Sequence, residues 1–451
     1  MTYSRLVVSI FVVWLGGASQ TLAQLPSARL LAVFPTGGKQ GSTFEVTVTG
    51  QDLDEVSRLH FSHPGITTSI VLTEPSPLRK LPRPVPGKFT VTIAADVPPV
   101  RYDLRAIGRY GVSNPRAFMV DDRPEMREQS PNQNHANANK VLLETVVNGQ
   151  ADKDGADYFR FSAEKDQRIL VDCWAQRIDS LMDATLVLYD AAGRELNHNR
   201  DHDRRDPLMD FTAPKSGEYV LKVYDFLYGG GEEYFYRLTI GTRPHLDFIF
   251  PPAGEPGSKS QYLLYGRNLP GGTQSGLSID GKRLEKKTVE VELPVEGETQ
   301  VQTTSLPFLE PEQVVWAGIE YRLRSAQGVS NPVRVGLATA PIVIEKEQND
   351  QPSQAQEVQL PCEVTGRFFP SGDQDWFTFQ AKKRSVYWIE VLSRRLGLPT
   401  DPALLLQRVT TDSAGREQIL DIAEVDDATP VLGNRSYQSA NNDPVFRFEA
   451  V

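Results

Sequence analysis

The sequence predicts an all-β protein of tandem β-sandwiches in which a unit of two modules occurs twice. Segments such as residues 43–49 and 219–224 alternate apolar and polar side chains or are rich in β-branched and aromatic residues, and turns containing glycine or proline separate them. No segment carries a sustained helical period of apolar residues. Short strands separated by tight turns are typical of sandwiches and barrels.

The repeat involves two kinds of module, A and B, in the order A-B-A-B. In module A, Gly-Val-Ser-Asn-Pro at residues 111–115 recurs unchanged at residues 328–332. In module B, Asp-Tyr-Phe-Arg-Phe at residues 157–161 recurs as Asp-Trp-Phe-Thr-Phe at residues 375–379. Several further motifs recur at nearly the same spacing, which indicates internal duplication and not chance similarity.

Module A is predicted over residues 25–120 and 245–337, and module B over residues 126–243 and 342–451. Each module has about 100 residues, enough to bury a core of its own. The second module B stops just after the segment that precedes the last two strands of the first. We therefore expect the second module B to be incomplete at its C-terminus.

Residues 1–23 have the pattern of a signal peptide. Arg5 provides a positive start, residues 6–15 form an apolar run too short to span a bilayer, and small residues follow at 21–23. An uncleaved membrane anchor is the alternative interpretation. The pattern predicts a protein that is secreted or located at the cell surface or in the periplasm, without a membrane span after cleavage.

Charge and cysteine content narrow the possible partners. The formal net charge of -10 argues against nucleic-acid binding, which needs a basic face, but is compatible with divalent cations. Cys173 and Cys362, the only cysteines, occupy non-equivalent places in the repeat, so we expect no disulfide between them. Cys173 shares a predicted strand face with Ile169 and Val171, which indicates a buried, inert thiol.

Module B resembles the bacterial pre-peptidase C-terminal domain. The resemblance depends on the Asp-aromatic-Phe-x-Phe strand, an Ala-Gly-Arg turn, an Asp-Pro segment and a Gly-Glu-Tyr-Val-Leu-Lys-Val strand, at residues 157–161, 192–194, 206–207 and 217–223. It implies an eight-stranded sandwich of jelly-roll type. Such domains accompany secreted peptidases and other exported bacterial proteins, and some relatives bind calcium or extracellular polymers.

Module A resembles immunoglobulin-like domains of the IPT/TIG type, which plexins and some transcription factors share. The similarity depends on the Phe-Pro segment near its start and on the terminal Gly-Val-Ser-Asn-Pro motif. The alternation of the two modules resembles exported repeat proteins of planctomycete-type bacteria.

The acidic linker before the second module B is the main candidate for a metal site. Residues 345–350 have the pattern Glu-x-Glu-x-Asn-Asp, whose four named positions offer side-chain oxygens, the ligands that calcium prefers. The resemblance implies that this linker meets the acidic loop before the Asp-Trp-Phe strand. The calcium ligands proposed on this basis are Glu345, Glu347, Asn349, Asp350, Asp373 and Asp375. A solvated acidic linker is the alternative.

A weaker site is predicted in the first module B, where two acidic linker positions are lost. Calcium affinity follows the charge of the ligands, so this copy should bind less tightly or not at all. The residues concerned are Glu128, Asn132, Asp154 and Asp157.

Motifs of catalysis are absent from the sequence, which predicts that the chain is not an enzyme. It contains no Gly-x-Ser-x-Gly and no His-Glu-x-x-His motif, and none of its six histidines recurs in the repeat. His198 and His202 lie in a polar run interpreted as a loop, and residues 228–231 are interpreted as a hairpin tip. Pairs of carboxylates alone leave glycoside hydrolysis open.

Two functions follow from these observations. The first is an exported repeat protein whose modules bind an extracellular polysaccharide or a protein, or serve as spacers, with calcium stiffening the second linker. The alternative is the non-catalytic accessory region of a larger secreted hydrolase, such as a peptidase. Trp174, Tyr228 and Trp376 are candidates for stacking on sugars, although aromatic residues at strand spacing usually belong to cores. The ligand and the oligomeric state stay open.

Overall fold

The computed structural model describes residues 26–75, 81–202, 205–295, 317–370, 372–398, 400–427 and 442–451. These residues form β-strands and short 3-10 helices, so the predicted all-β class is confirmed. The predicted signal peptide lies outside the described residues. Within the described ranges, no helix has the length and apolar character needed to cross a membrane. The 3-10 helices are His135–Asn137, Gln176–Ile178, Pro352–Gln354 and Arg394–Leu396.

The first sandwich packs two sheets of orders β1-β3-β6-β5 and β2-β9-β7-β4 on one core, with β8 paired to β7. Alternate residues of its long strands point into that core, as the sequence pattern predicts. Its strands are β1 (Arg29–Phe34), β2 (Gly37–Lys39), β3 (Thr43–Gln51), β4 (Arg58–Phe61), β5 (Ile66–Leu72), β6 (Pro84–Ile93), β7 (Arg101–Gly108), β8 (Gly111–Val112) and β9 (Arg116–Asp121).

The second sandwich has two five-stranded sheets of orders β10-β12-β19-β14-β17 and β11-β13-β18-β15-β16. Its strands β12 to β19 provide the eight that the resemblance implies, and β10 and β11 add two short parallel edge strands from the preceding linker. The strands are β10 (Glu125–Arg127), β11 (Asn139–Lys140), β12 (Thr145–Gln150), β13 (Asp157–Ala163), β14 (Arg168–Trp174), β15 (Ala184–Asp190), β16 (Glu195–Asn199), β17 (Leu208–Thr212), β18 (Gly217–Asp225) and β19 (Phe235–Gly241).

Two interpretations of this region are wrong. Residues 228–231 do not form a hairpin tip, because β18 and β19 belong to different sheets, and the connection between them is an arch that crosses the sandwich. Residues 197–199 are not a loop, because they pair with β15 as part of β16. The buried thiol is confirmed: Cys173 is free and fully buried, and burial raises the pKa of its thiol well above the usual value. Cys362 is free as well.

The third sandwich repeats the sheet order of the first, with β20-β22-β24-β23 facing β21-β28-β25 across one core. A two-stranded sheet, β26-β27, completes the described part of this sandwich. The strands are β20 (His245–Phe250), β21 (Ala253–Gly254), β22 (Lys259–Arg267), β23 (Thr273–Ile279), β24 (Lys282–Glu292), β25 (Gly318–Tyr321), β26 (Arg324–Ser325), β27 (Gly328–Val329) and β28 (Val333–Leu337).

The last region contains four two-stranded sheets, β29-β31, β30-β32, β33-β36 and β34-β35. Among its described residues, only Val358, Leu406 and Ala450 are buried hydrophobic residues. Its strands are β29 (Ile342–Ile344), β30 (Gln356–Glu357), β31 (Glu363–Thr365), β32 (Phe377–Thr378), β33 (Val386–Glu390), β34 (Leu404–Thr411), β35 (Glu417–Val425) and β36 (Val445–Glu449).

The repeated Ser-Asn-Pro motif holds the first strand of each A-type sandwich in place. The Asn114 side chain accepts a hydrogen bond from Leu30 N at 2.8 Å and donates one to Leu30 O at 3.0 Å. Asn331 makes the same pair of bonds to Leu246, at 2.7 and 2.8 Å. The motif recurs because it satisfies backbone groups that the sheet leaves unpaired, which is a structural role.

The repeated Asp-Pro motif also has a structural role. The buried Asp206 carboxylate accepts hydrogen bonds from Gln176 N at 2.8 Å and Arg177 N at 3.0 Å, and pairs with Arg177 Nε at 2.8 Å. Asp443 binds Arg395 N and Nε in the same way, at 3.0 Å each. One carboxylate thus satisfies the free amides at the start of a 3-10 helix and neutralises an arginine.

The junction between the first two sandwiches combines an apolar cluster with hydrogen bonds. Asp179 accepts from Ala117 N at 2.8 Å and pairs with Arg101 at 3.3 Å, while Arg101 also donates to Arg177 O at 3.1 Å. The buried members of the cluster come from both sandwiches and are Ala32, Ala117, Ile178 and Phe235.

The junction between the second and third sandwiches is ionic. Arg168 pairs with Asp210 of its own sandwich at 2.6 Å and with Glu285 of the next at 3.2 Å. Arg267 of the third sandwich lies 3.1 Å from Asp247 and 3.4 Å from Asp210. Since the Arg267, Asp210 and Asp247 side chains are at most 5% exposed, the junction excludes most solvent from this network.

Candidate metal centre

Glu345 lies at the end of β29, where the linker leaves a parallel strand pair. Its amide donates to Thr365 O at 2.9 Å, which continues the ladder between β29 and β31. Its carboxylate accepts from Arg367 N at 2.9 Å. The side chain is therefore held over the end of β31 and directed toward Asp375, which lies two residues before β32.

Asn349 ties the linker to that strand. Its backbone oxygen accepts from Trp376 N at 2.9 Å, and its buried side chain reaches Glu345 Oε1 at 3.4 Å through Nδ2. The Asn349 Oδ1 atom is buried and has no hydrogen-bond partner. A buried amide oxygen without a donor is unfavourable unless another group supplies a positive charge or a proton.

Asp375 completes the cluster with a second unsatisfied oxygen, because its Oδ1 atom is also buried without a partner. Burial, then the hydrogen bond to Glu345 and the charges of Glu345, Asp373 and Glu347, raise the pKa of Asp375 to about 8. Two carboxyl groups this close cannot both carry a charge without a counter-ion, so they share either a proton or a cation.

The other predicted ligands lie farther out. Asp373 accepts from Phe369 N at 2.7 Å and from Gln374 N at 2.9 Å, so its carboxylate is already bound to its own loop. Glu347 and Asp350 are exposed. The structure thus brings together Glu345, Asn349 and Asp375, with Asp373 and Glu347 near enough for their charges to act on Asp375, while Asp350 lies at the surface.

The first copy has the same arrangement in β12 and β13. Glu128 accepts from Gln150 N at 2.7 Å, and Asn132 O accepts from Tyr158 N at 2.8 Å. Burial and the charge of Glu128 raise the pKa of Asp157 to about 8. The two acid pairs therefore have equivalent places in the repeat, and each joins a linker to a strand.

Tyr236 distinguishes the two copies. Its hydroxyl lies 2.8 Å from Asp157 Oδ2 and 3.2 Å from Glu128 Oε2, so in the first copy a phenol on β19 covers the acid pair. Asp154 is exposed in the loop, and its amide donates to Tyr228 O at 3.0 Å. The charge of Asp152, and not that of Asp154, contributes to the raised pKa of Asp157.

The raised pKa of Asp157 predicts a pH dependence of stability. The folded state keeps a proton up to about pH 8, whereas the unfolded chain releases it near the ordinary value of 3.8. Stability should therefore fall as the pH rises from about 4 to about 8. We expect Asp157→Asn, which stays neutral, to lose less stability over this range, as measured by urea unfolding in the presence of EDTA.

The matched control is Asp154→Asn, at an exposed position of the same loop. It should follow the pH dependence of the parent protein. Parallel pH curves for the parent and Asp157→Asn would contradict the assignment of this proton to the acid pair.

The donors of the second copy fit a hard divalent cation. Two carboxyl groups and the Asn349 amide lie together, and one oxygen each of Asn349 and Asp375 is buried without a donor. Calcium prefers such oxygen ligands. Among the described residues, three acidic groups with oxygen atoms all within 4.8 Å of one another occur only at Asp401, Asp426 and Asp427, which are exposed. No three of the predicted acidic ligands in the described residues approach one another that closely.

Comparisons with known proteins identify solved β-rich structures that are similar to this chain. No protein-family description matches this sequence, and no curated protein is significantly similar to it. Similar solved structures include the pre-peptidase C-terminal domain of a collagenase from Bacillus anthracis, 21% identical over 27% of this chain and 99% of that chain, with a TM-score of 0.20.

Two other similar structures are larger. SGBP-B of the mixed-linkage glucan utilization locus of Bacteroides ovatus, in complex with a mixed-linkage heptasaccharide, is 11% identical over 62% of this chain and 70% of its own, with a TM-score of 0.18. Domains 5–6 of the S-layer protein SbsC are 11% identical over 60% of this chain and 99% of that chain, with a TM-score of 0.15. The alternation of module types stays a prediction.

Proposed function

We propose that this chain is an exported, non-catalytic repeat protein whose A and B modules form a stiffened spacer carrying binding surfaces outside the cytoplasm. Calcium at Glu345, Asn349 and Asp375 would hold the second A-to-B linker against its B module. The observation that carries the proposal is the pair of buried oxygens, Asn349 Oδ1 and Asp375 Oδ1, that lack a donor beside the carboxyl pair of Glu345 and Asp375. The export part rests on the signal-peptide pattern of residues 1–23.

The junctions support a spacer. Sandwiches joined only by a flexible linker would reorient freely, whereas here buried ion pairs and an apolar cluster join consecutive sandwiches. The third and last units also touch, since Arg367 lies 3.3 Å from the Tyr265 hydroxyl and over the Phe250 ring. A cation at Glu345, whose carboxylate accepts a hydrogen bond from Arg367 N, would stiffen this last junction as well.

A divalent cation would also resolve the charge conflict at the acid pair. When calcium binds, the proton held by Asp375 should be released, because the cation replaces it as the counter-charge. We propose that the three outer acidic residues strengthen calcium binding through their negative charge. These residues are Glu347, Asp350 and Asp373. The first copy has Ser130 where the second has Glu347, and a tyrosine hydroxyl already bonds its acid pair, so it should bind more weakly.

Calorimetric titration of the whole chain with calcium chloride at pH 7 tests this proposal. We expect one dominant site that releases about one proton, seen as a dependence of the heat on buffer ionisation enthalpy. At a calcium concentration of 100 times Kd the folded state should gain about 2.7 kcal/mol. Asp375→Asn should abolish the site.

Asp157→Asn is the matched control, because it alters the equivalent acid pair of the first copy. The dominant site should survive in this variant. Equal loss of binding in both variants, or no binding by the parent protein, would remove the assignment to the second linker.

A panel of peptidase, esterase and glycosidase substrates should show no turnover above background.

A further inference from the structure

An aromatic surface, formed by Tyr224, Phe226 and Tyr228, lies at one end of the second sandwich. Phe226 and Tyr228 are 44% and 41% exposed, and the Tyr228 ring stacks on that of Tyr224 with centroids 5.1 Å apart. The Lys222 ammonium lies 4.3 Å from the centroid of the Tyr224 ring, and the Arg200 guanidinium lies 3.7 Å from that of Phe226. Aromatic rings that the core does not use are therefore presented together to solvent.

The backbone of Tyr228 has an unfavourable conformation. Its φ angle is +57°, and it is the only aromatic residue with a positive φ in the part of the chain that the structure describes. A turn fixes it there, because Asp225 O accepts from Tyr228 N at 2.8 Å. The buried Asp225 carboxylate also accepts from Leu227 N at 3.0 Å and from Gly229 N at 2.8 Å. Stability alone would favour glycine or asparagine at this position, and strain of this kind is typical of binding sites.

Two oxygen atoms beside the aromatic surface lack hydrogen-bond partners. Thr185 is opposite Tyr224 in the pairing of β15 with β18, and Asp183 lies two residues before it on the same face. Asp183 Oδ1 and Thr185 Oγ1 are buried without a partner, and Thr185 is only 6% exposed. The Asp183 carboxylate lies 3.9 Å from Arg200 Nε and 4.0 Å from Arg205 Nη1, distances too long for hydrogen bonds. Unused hydrogen-bonding capacity thus adjoins the exposed rings.

Arg200 adjoins both the rings and these oxygens. Its side chain is 36% exposed and packs on the Phe226 ring, so a change of rotamer would let a hydroxyl group reach the Asp183 carboxylate without moving the backbone.

The charges around the aromatic surface balance. Among the described residues near it, three cations face three carboxylates, and Arg200 Nε lies 3.1 Å from Asp201 Oδ2. The six residues are Lys222, Arg200, Arg205, Asp183, Asp201 and Asp225. The surface therefore has no charge that would select an anion or a cation, and a neutral ligand fits it best.

The position of the rings in the sheet favours a saccharide over a peptide. Tyr224 lies on β18, which is paired on both edges, with β13 and β15, so this surface offers no free strand edge for a peptide to extend. A saccharide needs only an aromatic ring against the C–H groups of its own ring, and hydrogen-bonding side chains for its hydroxyls.

We infer that this end of the second sandwich binds a neutral extracellular polysaccharide, which packs on Tyr224, Phe226 and Tyr228 and donates hydroxyl hydrogen bonds to Asp183 and Thr185. The polysaccharide is the ligand of one of the binding surfaces in the proposed function. Its binding rests on the export of the protein and does not require the calcium site.

Affinity electrophoresis of the whole chain tests this site. Native gels contain hydroxyethylcellulose, galactomannan, arabinoxylan or dextran, and the buffer contains EDTA so that calcium has no part in the result. We expect at least one of these neutral polysaccharides to retard the protein. A gel with the anionic polysaccharide alginate should not.

Substitutions of Tyr228 separate binding from stability. Tyr228→Asn removes the ring at a position where asparagine tolerates the positive φ, so it should weaken binding about tenfold or more without lowering the melting temperature. Tyr228→Phe keeps the ring and should bind as the parent does. The matched control is Tyr110→Asn, at another exposed tyrosine beside an arginine, Arg109, in the first sandwich, and it should not change binding.

Thr185→Val tests the polar part of the site. It removes a buried hydroxyl that has no partner, so the melting temperature should stay the same or rise, while binding should weaken about fivefold through the lost hydrogen bond.

Retardation by alginate alone, no retardation by any neutral polysaccharide, unchanged binding by Tyr228→Asn or Thr185→Val, or an equal loss in Tyr110→Asn would overturn the inference. The heat of calcium binding should be the same in Tyr228→Asn and the parent protein. Failure of the polysaccharide site and failure of the calcium site would therefore be seen separately.

Discussion

Replacing Asp206 by alanine should destabilise the second sandwich by about 3–5 kcal/mol, the cost of removing one member of a buried ion pair. The Asp206 carboxylate is fully buried and binds three consecutive amides, from Ala175 to Arg177, at 2.8–3.1 Å, together with Arg177 Nε at 2.8 Å. Alanine would leave the three amides without this acceptor, while the Arg177 guanidinium would lose one carboxylate partner and keep Asp172, at 2.6 Å. Urea unfolding followed by tryptophan fluorescence would measure the loss, since Trp174 lies next to the site.

Asp190→Ala is the matched control for Asp206→Ala. Asp190 also accepts from two backbone amides, of Ala192 and Arg194, but it is the last residue of β15, is partly exposed and borders the turn to β16. Water can replace its hydrogen bonds, so we expect a loss of about 1 kcal/mol or less. Equal losses in the two variants would show that burial of the Asp206 network does not determine its contribution.

Much of the fold could be predicted from the sequence because the repeat marks residues that satisfy backbone groups. The Ser-Asn-Pro and Asp-Pro motifs recur because Asn114 and Asp206 have few replacements that make the same bonds. The alternation of side chains around Cys173 predicts that its thiol is buried, because successive side chains of a strand point to opposite faces of the sheet. These features depend on local geometry, which short motifs encode.

Features that depend on which strands pair could not be predicted in this way. The sequence predicts a hairpin at the glycine-rich connection after β18, because a turn-rich segment between two strands does not indicate whether they share a sheet. The sequence places Tyr236 only in a strand, because nothing in its neighbours indicates that its hydroxyl reaches Glu128 and Asp157 from another part of the chain.

Comparison of the two copies of the repeat could not predict the ionic junction between the second and third sandwiches, for a different reason. Asp247 and Arg267 of the third sandwich have Leu31 and Gln51 as their counterparts in the first. The pair therefore belongs to the contact between the second and third sandwiches, which occurs once, and not to the shared module. Sequence comparison of the copies identifies what the modules share, while contacts between them require the three-dimensional arrangement.

Arg267→Met should destabilise this junction by about 3–5 kcal/mol near pH 8, because it leaves Asp247 buried without a cation. Asp210 keeps Arg168 as a partner, at 2.6 Å, so the unpaired charge falls on Asp247. Burial already raises the pKa of Asp247 to about 6 against the opposing charge of Arg267. Without the arginine this pKa should rise further, and urea unfolding at pH 5 and pH 8 would measure the consequence.

The pH dependence of the Arg267→Met defect separates an ionic cause from lost packing. At pH 5 the carboxyl can take up a proton in the folded state, so the destabilisation should be smaller than at pH 8, where the unfolded chain releases that proton freely. Adding Asp247→Leu should restore most of the lost stability, since an apolar pair of similar volume needs no counter-charge. A defect of equal size at both pH values, or one that the second substitution does not relieve, would mean that the Arg267 side chain stabilises the junction mainly through its packing and not through its charge.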